Sequence, residues 1–328
     1  MKPVSTSATT EVLIPIWQRV LQLPSVGLDD NFFELGGDSA QALELFNEIA
    51  VACGRELPPV MIYQAPTISA LAAVLDQPTT PRMPPLIQLK AGTAASPIFI
   101  AHGLGGSVMD FYQIVKQVHT PRAIYGMQAK GIDGTEEPLD RIEDMAQYSL
   151  AAIQEIQPRG PYFLMGFSLG GLVVLEIAQR LVARGEEIGL LAMLDSYPHI
   201  SRISRGQRSL LWVRRTWRRM ARKLQWLGVP QPFQTELDVE PSPSLRPFRD
   251  SAYRALAQYE PSFYSGRIDF VRASIPTDWP ANPAAVWSHL AREFEVQTAP
   301  GDHLGIMTTH FEGLARIIST FVKQADPQ

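Results

Sequence analysis

The segment Tyr162-Phe163-Leu164-Met165-Gly166-Phe167-Ser168-Leu169-Gly170-Gly171 constrains this chain more than any other. A short apolar run of strand length leads into a serine set among glycines, and an apolar, helix-forming run follows. Glycines at these positions leave room for a turn too tight for larger neighbours, with the serine hydroxyl raised above a sheet. That strand–turn–helix context is what a nucleophile elbow requires. It commits the surrounding chain to an α/β architecture.

The rest of the chain beyond Pro97 agrees. Short apolar runs at Ile98–Ala101, Ala123–Met127, Tyr162–Met165, Ile188–Leu194, Arg267–Ala273 and Phe294–Gln297 alternate with longer helical patterns. The predicted helices cover 142–156, 169–184 and 305–323. Such alternation indicates a mainly parallel sheet.

A serine nucleophile needs a base, and the base needs an orienting carboxylate. His303, in Ala299-Pro300-Gly301-Asp302-His303-Leu304-Gly305, follows the last predicted strand, where such a fold places its base. The other histidines have structural readings. His102 begins a Gly-rich loop, His119 and His199 neighbour proline or turn residues, and His289 and His310 fall in helical patterns. Two positions can supply the acid: Asp195, at the end of the strand Ile188–Leu194, and Asp278, in the loop after Arg267–Ala273. Asp302 adjoins the base, and neighbouring side chains in an extended loop diverge. The oxyanion hole needs two N–H donors. One is the backbone N–H of Leu169, directly after the nucleophile; the other belongs to the loop His102–Ser107, where Leu104 is the choice. That loop carries neither a GxGxxG nor a Walker pattern, so a phosphate-binding reading fits it poorly.

Residues 77–85 hold four prolines, which break any helix and favour an extended linker. Charge changes at the same point: residues 1–80 carry nine acids and three bases, whereas residues 81–328 carry 24 acids and 26 bases. The expected organisation is a first domain over 1–76, a linker over 77–96 and a second domain over 97–328. The first domain reads as a small all-helical bundle. One helix spans about 11–23, a second about Ala40–Ala52, and a third runs from near Thr67-Ile68-Ser69 to Leu75, with Thr67 or Ser69 as its cap. Ser39 opens the second helix after Gly36-Gly37. It either caps the helix or presents its hydroxyl where free N–H groups favour an anion. Cys53, the lone cysteine, reads as a packing residue and excludes a disulfide framework or a multi-cysteine metal site.

Between Asp195 and the later strands lies an insertion, 199–249. Nine Arg or Lys residues and no acids fall between His199 and Thr235, while Leu210, Val213, Trp217, Met220, Leu224 and Leu227 recur at steps of three and four. This is an amphipathic basic helix, expected to act as a lid over an acyl site, a role compatible with docking the acidic first domain. The net charge of −4 shows no overall basic character for binding nucleic acid, and no apolar run approaches the roughly 20 residues of a membrane span. The start, MKPVSTSATT, has no secretory h-region. The expectation is a cytoplasmic protein with no membrane or nucleic-acid partner and no metal site.

Asp30-Asn31-Phe32-Phe33-Glu34-Leu35-Gly36-Gly37-Asp38-Ser39 resembles the attachment motif of peptidyl and acyl carrier proteins, those of non-ribosomal peptide synthetases above all. The resemblance covers 11–76 and implies that Ser39 carries 4′-phosphopantetheine, placed there by a phosphopantetheinyl transferase. Residues 97–324 resemble the type I thioesterase domains that end non-ribosomal peptide and polyketide synthases. The matching pieces are Ile98–Gly106, Gly166–Gly171, Leu194-Asp195-Ser196-Tyr197-Pro198 and Pro300–His303. In that family the acid follows the strand after the nucleophile strand, which favours Asp195 over Asp278. Gly103 departs from the family's frequent proline, and 199–249 matches weakly. The resemblance implies a carrier–thioesterase didomain in secondary-metabolite biosynthesis. It would release an acyl or peptidyl chain from a phosphopantetheine thioester through an acyl-enzyme on Ser168, by hydrolysis, cyclisation or transfer. Upstream synthetase domains or a separate loading enzyme would supply the chain. A stand-alone serine esterase or lipase acting on free esters, and a non-catalytic carrier module, remain the alternatives.

Overall fold

The computed structural model describes residues 8–79, 81–133, 135–199, 201, 246–276 and 282–326. The chain divides into two compact units, Met1–Pro84 and Pro85–Gln328.

The first unit is helical. Helix α1 (Ala8–Leu21) packs against α2 (Ser39–Cys53) and α3 (Ile68–Leu75), with a 3-10 turn at Pro59–Tyr63. Its centre is aromatic: the fully buried rings of Trp17 and Phe32 meet edge to face at 5.4 Å. Such a pair adds about 0.5–1.5 kcal/mol beyond the area it buries. Gly37 is required here, because a Cβ would fall 2.4 Å from the Phe32 ring. Of the two caps considered for the third helix, Thr67 is the one used; its hydroxyl accepts from the Ala70 N–H at 3.1 Å. Cys53 ends α2, and burial pushes its thiol pKa up, as for a packing residue.

The second unit is a seven-stranded sheet in the order β1-β3-β2-β4-β5-β6-β7. The strands are β1 (Leu86–Lys90), β2 (Ala94–Ala101), β3 (Arg122–Met127), β4 (Tyr162–Phe167), β5 (Ile188–Leu194), β6 (Tyr264–Ala273) and β7 (Ala291–Ala299). Only the β1–β3 pair is antiparallel. All six residues of β4 are buried, as its unbroken apolar sequence requires of a central parallel strand. Helix α4 (Tyr112–Gln117) lies between β2 and β3, and α5 (Ile142–Ile156) between β3 and β4. Helix α6 (Leu169–Ala183) packs on β4, β5 and α5. Among the described residues, helices α7 (Arg246–Gln258), α8 (Ala284–Trp287) and α9 (Phe311–Ala325) follow β5, β6 and β7 in turn. After β2 the chain moves to one side to form β3, then returns to form β4 on the other side. The carboxyl ends of β2 and β4 therefore flank a topological switch point, where open α/β sheets hold their ligands.

Several expectations need correcting. The stretch 77–96 is not all linker, because β1 occupies 86–90 and pairs with β3 from Leu86↔Met127 onward. The last strand is nine residues long, not four. The last helix begins at Phe311 rather than 305, because residues 302–310 fold into successive turns, with Ile306 N–H on Asp302 O and His310 N–H on Gly305 O. His289 lies in a turn, and His310 stands at the start of α9. The basic helix expected within 199–249 and the alternative acid Asp278 lie outside the described residues. Helix α7 starts inside the expected insertion and runs past it. No helix among the described residues is long and apolar enough to cross a membrane.

Candidate active site

The nucleophile candidate sits where β4 turns into α6. Ser168 has φ 53° and ψ −118°, a left-handed conformation that a serine holds only under strain. The glycines around it serve close approach. A Cβ on Gly166 would lie 2.2 Å from the Gly170 carbonyl oxygen, and one on Gly170 would lie 2.4 Å from that of Ala101. The Ser168 N–H donates to the Leu194 carbonyl at 3.0 Å, tying the elbow to β5.

Asp195 directly follows β5 and also has a positive φ, 47°. Its N–H donates to the Val271 carbonyl at 2.7 Å, and its Oδ1 accepts from the Ala273 N–H at 3.0 Å. Its other oxygen, Oδ2, lies 2.7 Å from His303 Nδ1. A carboxylate can only accept, so Nδ1 carries the proton and Nε2 presents a basic lone pair. The His303 ring stacks on Phe167, 4.8 Å between centroids at 25°. Ser168, Asp195 and His303 are respectively 5%, 5% and 3% exposed, so their charges are little screened by water. The loop carrying His303 is fastened to the end of β6: Gly301 N–H donates to Ser274 Oγ at 3.0 Å, and Ile275 N–H to Gly301 O at 2.9 Å. Asp302 turns away from this pair, and its Oδ1 accepts from the Gly305 N–H at 2.7 Å.

Leu169 is the first residue of α6, so its N–H has no partner within the helix and is available to a ligand. Leu104 lies buried in a turn closed by Gly106 N–H on Gly103 O at 3.2 Å. The two residues follow β4 and β2, which are neighbours in the sheet.

Three supporting side chains were not singled out from the sequence, although Tyr197 and Phe167 lie within the quoted motifs. Trp287 donates from Nε1 to the Ser196 carbonyl at 3.0 Å, fixing the chain just beyond Asp195. Tyr197, also just beyond it, is buried edge-on against Phe270; burial and then the charge of Asp195 push its phenol pKa up. Phe167 supplies the stacking surface for the imidazole; only its place beside Ser168 marks it.

In the first unit, Ser39 is the first residue of α2, and Asp38 is the cap. The Asp38 carboxylate accepts from the Gln41 N–H at 2.8 Å, and Gln41 Oε1 accepts from the Asp38 N–H at 3.2 Å. Capping therefore does not account for the serine. The helix start offers free N–H groups and the positive end of the dipole, and the first turn holds no acidic residue. That environment fits a phosphodiester.

The sequence matches the family described as "Thioesterase domain" over residues 96–322, more than half of the chain. The chain belongs to the thioesterase domain family. Residues 11–75 match the "Phosphopantetheine attachment site" family, so a carrier unit precedes the thioesterase domain. Among curated relatives, a dimodular nonribosomal peptide synthase of Bacillus subtilis is 40% identical over 58% of this chain and 8% of its own length. Malpibaldin synthetase of Mortierella alpina is 30% identical over 80% of this chain and 5% of its own. Indigoidine synthase of Dickeya dadantii is 37% identical over 56% of this chain and 12% of its own. The chain thus spans a small part of the relatives it matches. A solved four-domain nonribosomal peptide synthetase, bound to AMP and glycine, shares the fold with TM-score 0.60 at 24% identity, covering 97% of this chain and 26% of that one. The NocB thioesterase domain of the nocardicin cluster matches at TM-score 0.52 and 22% identity, covering 69% of this chain and 94% of its own.

Proposed function

We propose that this didomain releases an acyl or peptidyl chain from a carrier-bound thioester through an acyl-enzyme on Ser168, in the cytoplasmic biosynthesis of a secondary metabolite. The observation that carries the reading is the hydrogen bond of His303 Nδ1 to Asp195 Oδ2 at 2.7 Å, on the loops that flank a strained Ser168. The arm on Ser39, once attached, supplies a thiol that holds the chain as a thioester. His303 Nε2 takes the proton of Ser168 Oγ as the oxygen attacks the thioester carbon. Asp195 holds the imidazole in the productive tautomer and stabilises the imidazolium. The N–H groups of Leu169 and Leu104 receive the oxyanion, each worth about 2.7–4 kcal/mol where such donors have been removed. His303 then returns the proton to the departing thiolate, leaving an ester on Ser168. In the second half His303 deprotonates water or a nucleophile within the chain, and that group displaces Ser168. Burial of all three side chains favours this charge movement.

Partners follow from the same reading: a phosphopantetheinyl transferase that modifies Ser39, and upstream synthetase domains or a loading enzyme that deliver the chain. Tethering raises the effective concentration of the thioester, so weak docking suffices.

The test is intact-protein mass after incubation with a broad phosphopantetheinyl transferase and acyl-coenzyme A donors, on wild type, Ser39→Ala and Ser168→Ala. Wild type should gain and then lose acyl mass, Ser168→Ala should retain it, and Ser39→Ala should gain none. Absence of any pantetheine mass on wild type, with free esters still hydrolysed, overturns the carrier reading in favour of a stand-alone esterase.

A further inference from the structure

Two histidines are buried among the described residues of the second unit, His303 at 3% exposure and His102 at 8%. The proposed proton transfers all fall to His303. His102 directly follows β2, and its backbone is anchored beside the elbow. A Cβ on Gly170, two residues after Ser168, would lie 2.4 and 2.5 Å from the carbonyl oxygens of Ala101 and His102. The His102 ring packs edge-on against Phe248 of α7, 5.7 Å between centroids. Phe248 also covers Gly106, where a Cβ would fall 2.5 Å from its ring. One aromatic side chain thus closes over both ends of the turn from His102 to Gly106.

The polar contact of the His102 ring is specific. Its Nδ1 lies 2.7 Å from the Gly103 carbonyl oxygen. A carbonyl only accepts, so Nδ1 carries the proton, and burial favours the neutral ring. The Gly106 N–H donates to the same oxygen at 3.2 Å. Two donors from opposite ends of the turn therefore hold one carbonyl. That carbonyl and the Leu104 N–H belong to the same peptide unit. Among the described residues the cis bond is Gly160–Pro161, so the Gly103–Leu104 unit is trans, with its C=O and N–H pointing in opposite directions. Clamping the oxygen thus aims the N–H. With glycine at 103, 105 and 106, the chain by itself does little to fix that plane. Accepted hydrogen bonds also polarise the amide and make its N–H a better donor.

We infer that His102 is a positioning residue for the oxyanion hole: its Nδ1–H turns the Gly103–Leu104 peptide so that the Leu104 N–H faces the oxygen that becomes negative as Ser168 attacks. The inference rests on the acyl-transfer reading above and adds to it a residue that touches neither substrate nor the reacting atoms. Donors aimed beforehand need no reorganisation at the moment of reaction.

The experiment uses the full chain and compares wild type with His102→Phe, His102→Gln and His102→Asn. Phenylalanine keeps a ring but cannot donate. The glutamine amide reaches to where the imidazole Nε2 lies, away from the Gly103 carbonyl, whereas the asparagine nitrogen falls close to the place of Nδ1. Burst kinetics give the acylation rate and the substrate affinity for p-nitrophenyl octanoate and for its thionoester, in which sulfur replaces the carbonyl oxygen. Sulfur is the larger and poorer acceptor, so wild type should acylate faster with the oxygen ester by at least about tenfold. His102→Phe and His102→Gln should acylate with that ester about 10- to 100-fold more slowly at nearly unchanged affinity, less than the full effect of deleting a donor. Their oxygen-to-sulfur ratio should drop severalfold. His102→Asn should stay within about threefold of wild type, because its donor remains in place. A merely structural role would slow both esters alike and leave the ratio where it was. Thermal unfolding shows which variants are folded, and His102→Gln decides alone if the phenylalanine is not accommodated. A wild-type ratio near one, a ratio unchanged by the loss of the donor, or an asparagine variant as slow as the glutamine one overturns the inference while acyl transfer stands. If wild type forms no acyl-enzyme on Ser168 with either ester, the acyl-transfer reading falls and the role of His102 with it.

Discussion

Gly171 and Ser196 approach so closely that a Cβ on the glycine would fall 2.0 Å from the Ser196 hydroxyl oxygen. The contact joins the first turn of α6 to the residue after Asp195, and so sets the spacing between the two halves of the proposed catalytic group. That hydroxyl is itself committed, donating toward the Gly166 and Leu194 carbonyls at 3.3 and 3.2 Å. Gly171→Ala must therefore push α6 away from β5. We expect a loss of about 1–3 kcal/mol of stability, the usual range for overpacking, together with slower acylation of Ser168. Ser196→Gly in the same chain should recover part of both. Thermal unfolding and burst kinetics of the two single variants and the double variant would expose the coupling, and additive effects would refute it.

Asp195→Asn keeps the shape of the side chain but offers His303 an amide. The amide N–H₂ can donate, which favours the wrong imidazole tautomer. Turnover should fall roughly 10⁴-fold, as it does when the triad aspartate of a serine protease is replaced in this way. Asp302→Asn should change the rate by only a few-fold, because its oxygen serves the Gly305 N–H and an asparagine oxygen can do the same. Equal losses in the two variants would contradict the assignment of Asp195 as the acid.

Burial lowers the pKa of His102 from its ordinary value near 6.5. Below that ordinary value the unfolded chain takes up a proton that the folded chain refuses. The His102 contribution to stability is therefore complete above about pH 6.5 and declines as pH falls toward the depressed folded value. His102→Asn should flatten the fall in melting temperature between about pH 6.5 and pH 5 relative to wild type. Parallel melting curves for the two proteins would show that His102 has no part in it.

Asp38 and Gln41 form a reciprocal cap at the start of α2. Asp38→Ala should destabilise the first unit by about 1 kcal/mol. Hydrolysis of a diffusible ester by the second unit should not change. Separate thermal transitions for the two units, followed by calorimetry, would test both statements.

The elbow, its order of partners and the helix that begins at Ser39 were legible because each is a local pattern. Turn glycines, apolar runs and a cap residue leave signals within a few positions. The misreadings also have local causes. Leu86–Lys90 is short and sits among prolines, so only its pairing with β3 makes it a strand. In Ala291–Ala299 most side chains are exposed and several are charged, so the short segment Phe294–Gln297, with only Phe294 and Val296 apolar, understated it. Helix α7 was obscured by Pro247, which is tolerated because it falls in the first turn, where a helix needs no N–H. Trp287 could not be found from sequence. Its significance depends on Ser196, 91 positions away.

Three described residues other than glycine hold a positive φ: Gln22, Ser168 and Asp195. Two of the three belong to the proposed catalytic group. Strained backbone of this kind costs on the order of 1–3 kcal/mol at each site, and glycine would relieve much of it. Ser168→Gly should therefore be catalytically silent yet melt at a higher temperature than the parent. Selection of this domain for heat tolerance alone would tend to erase its chemistry.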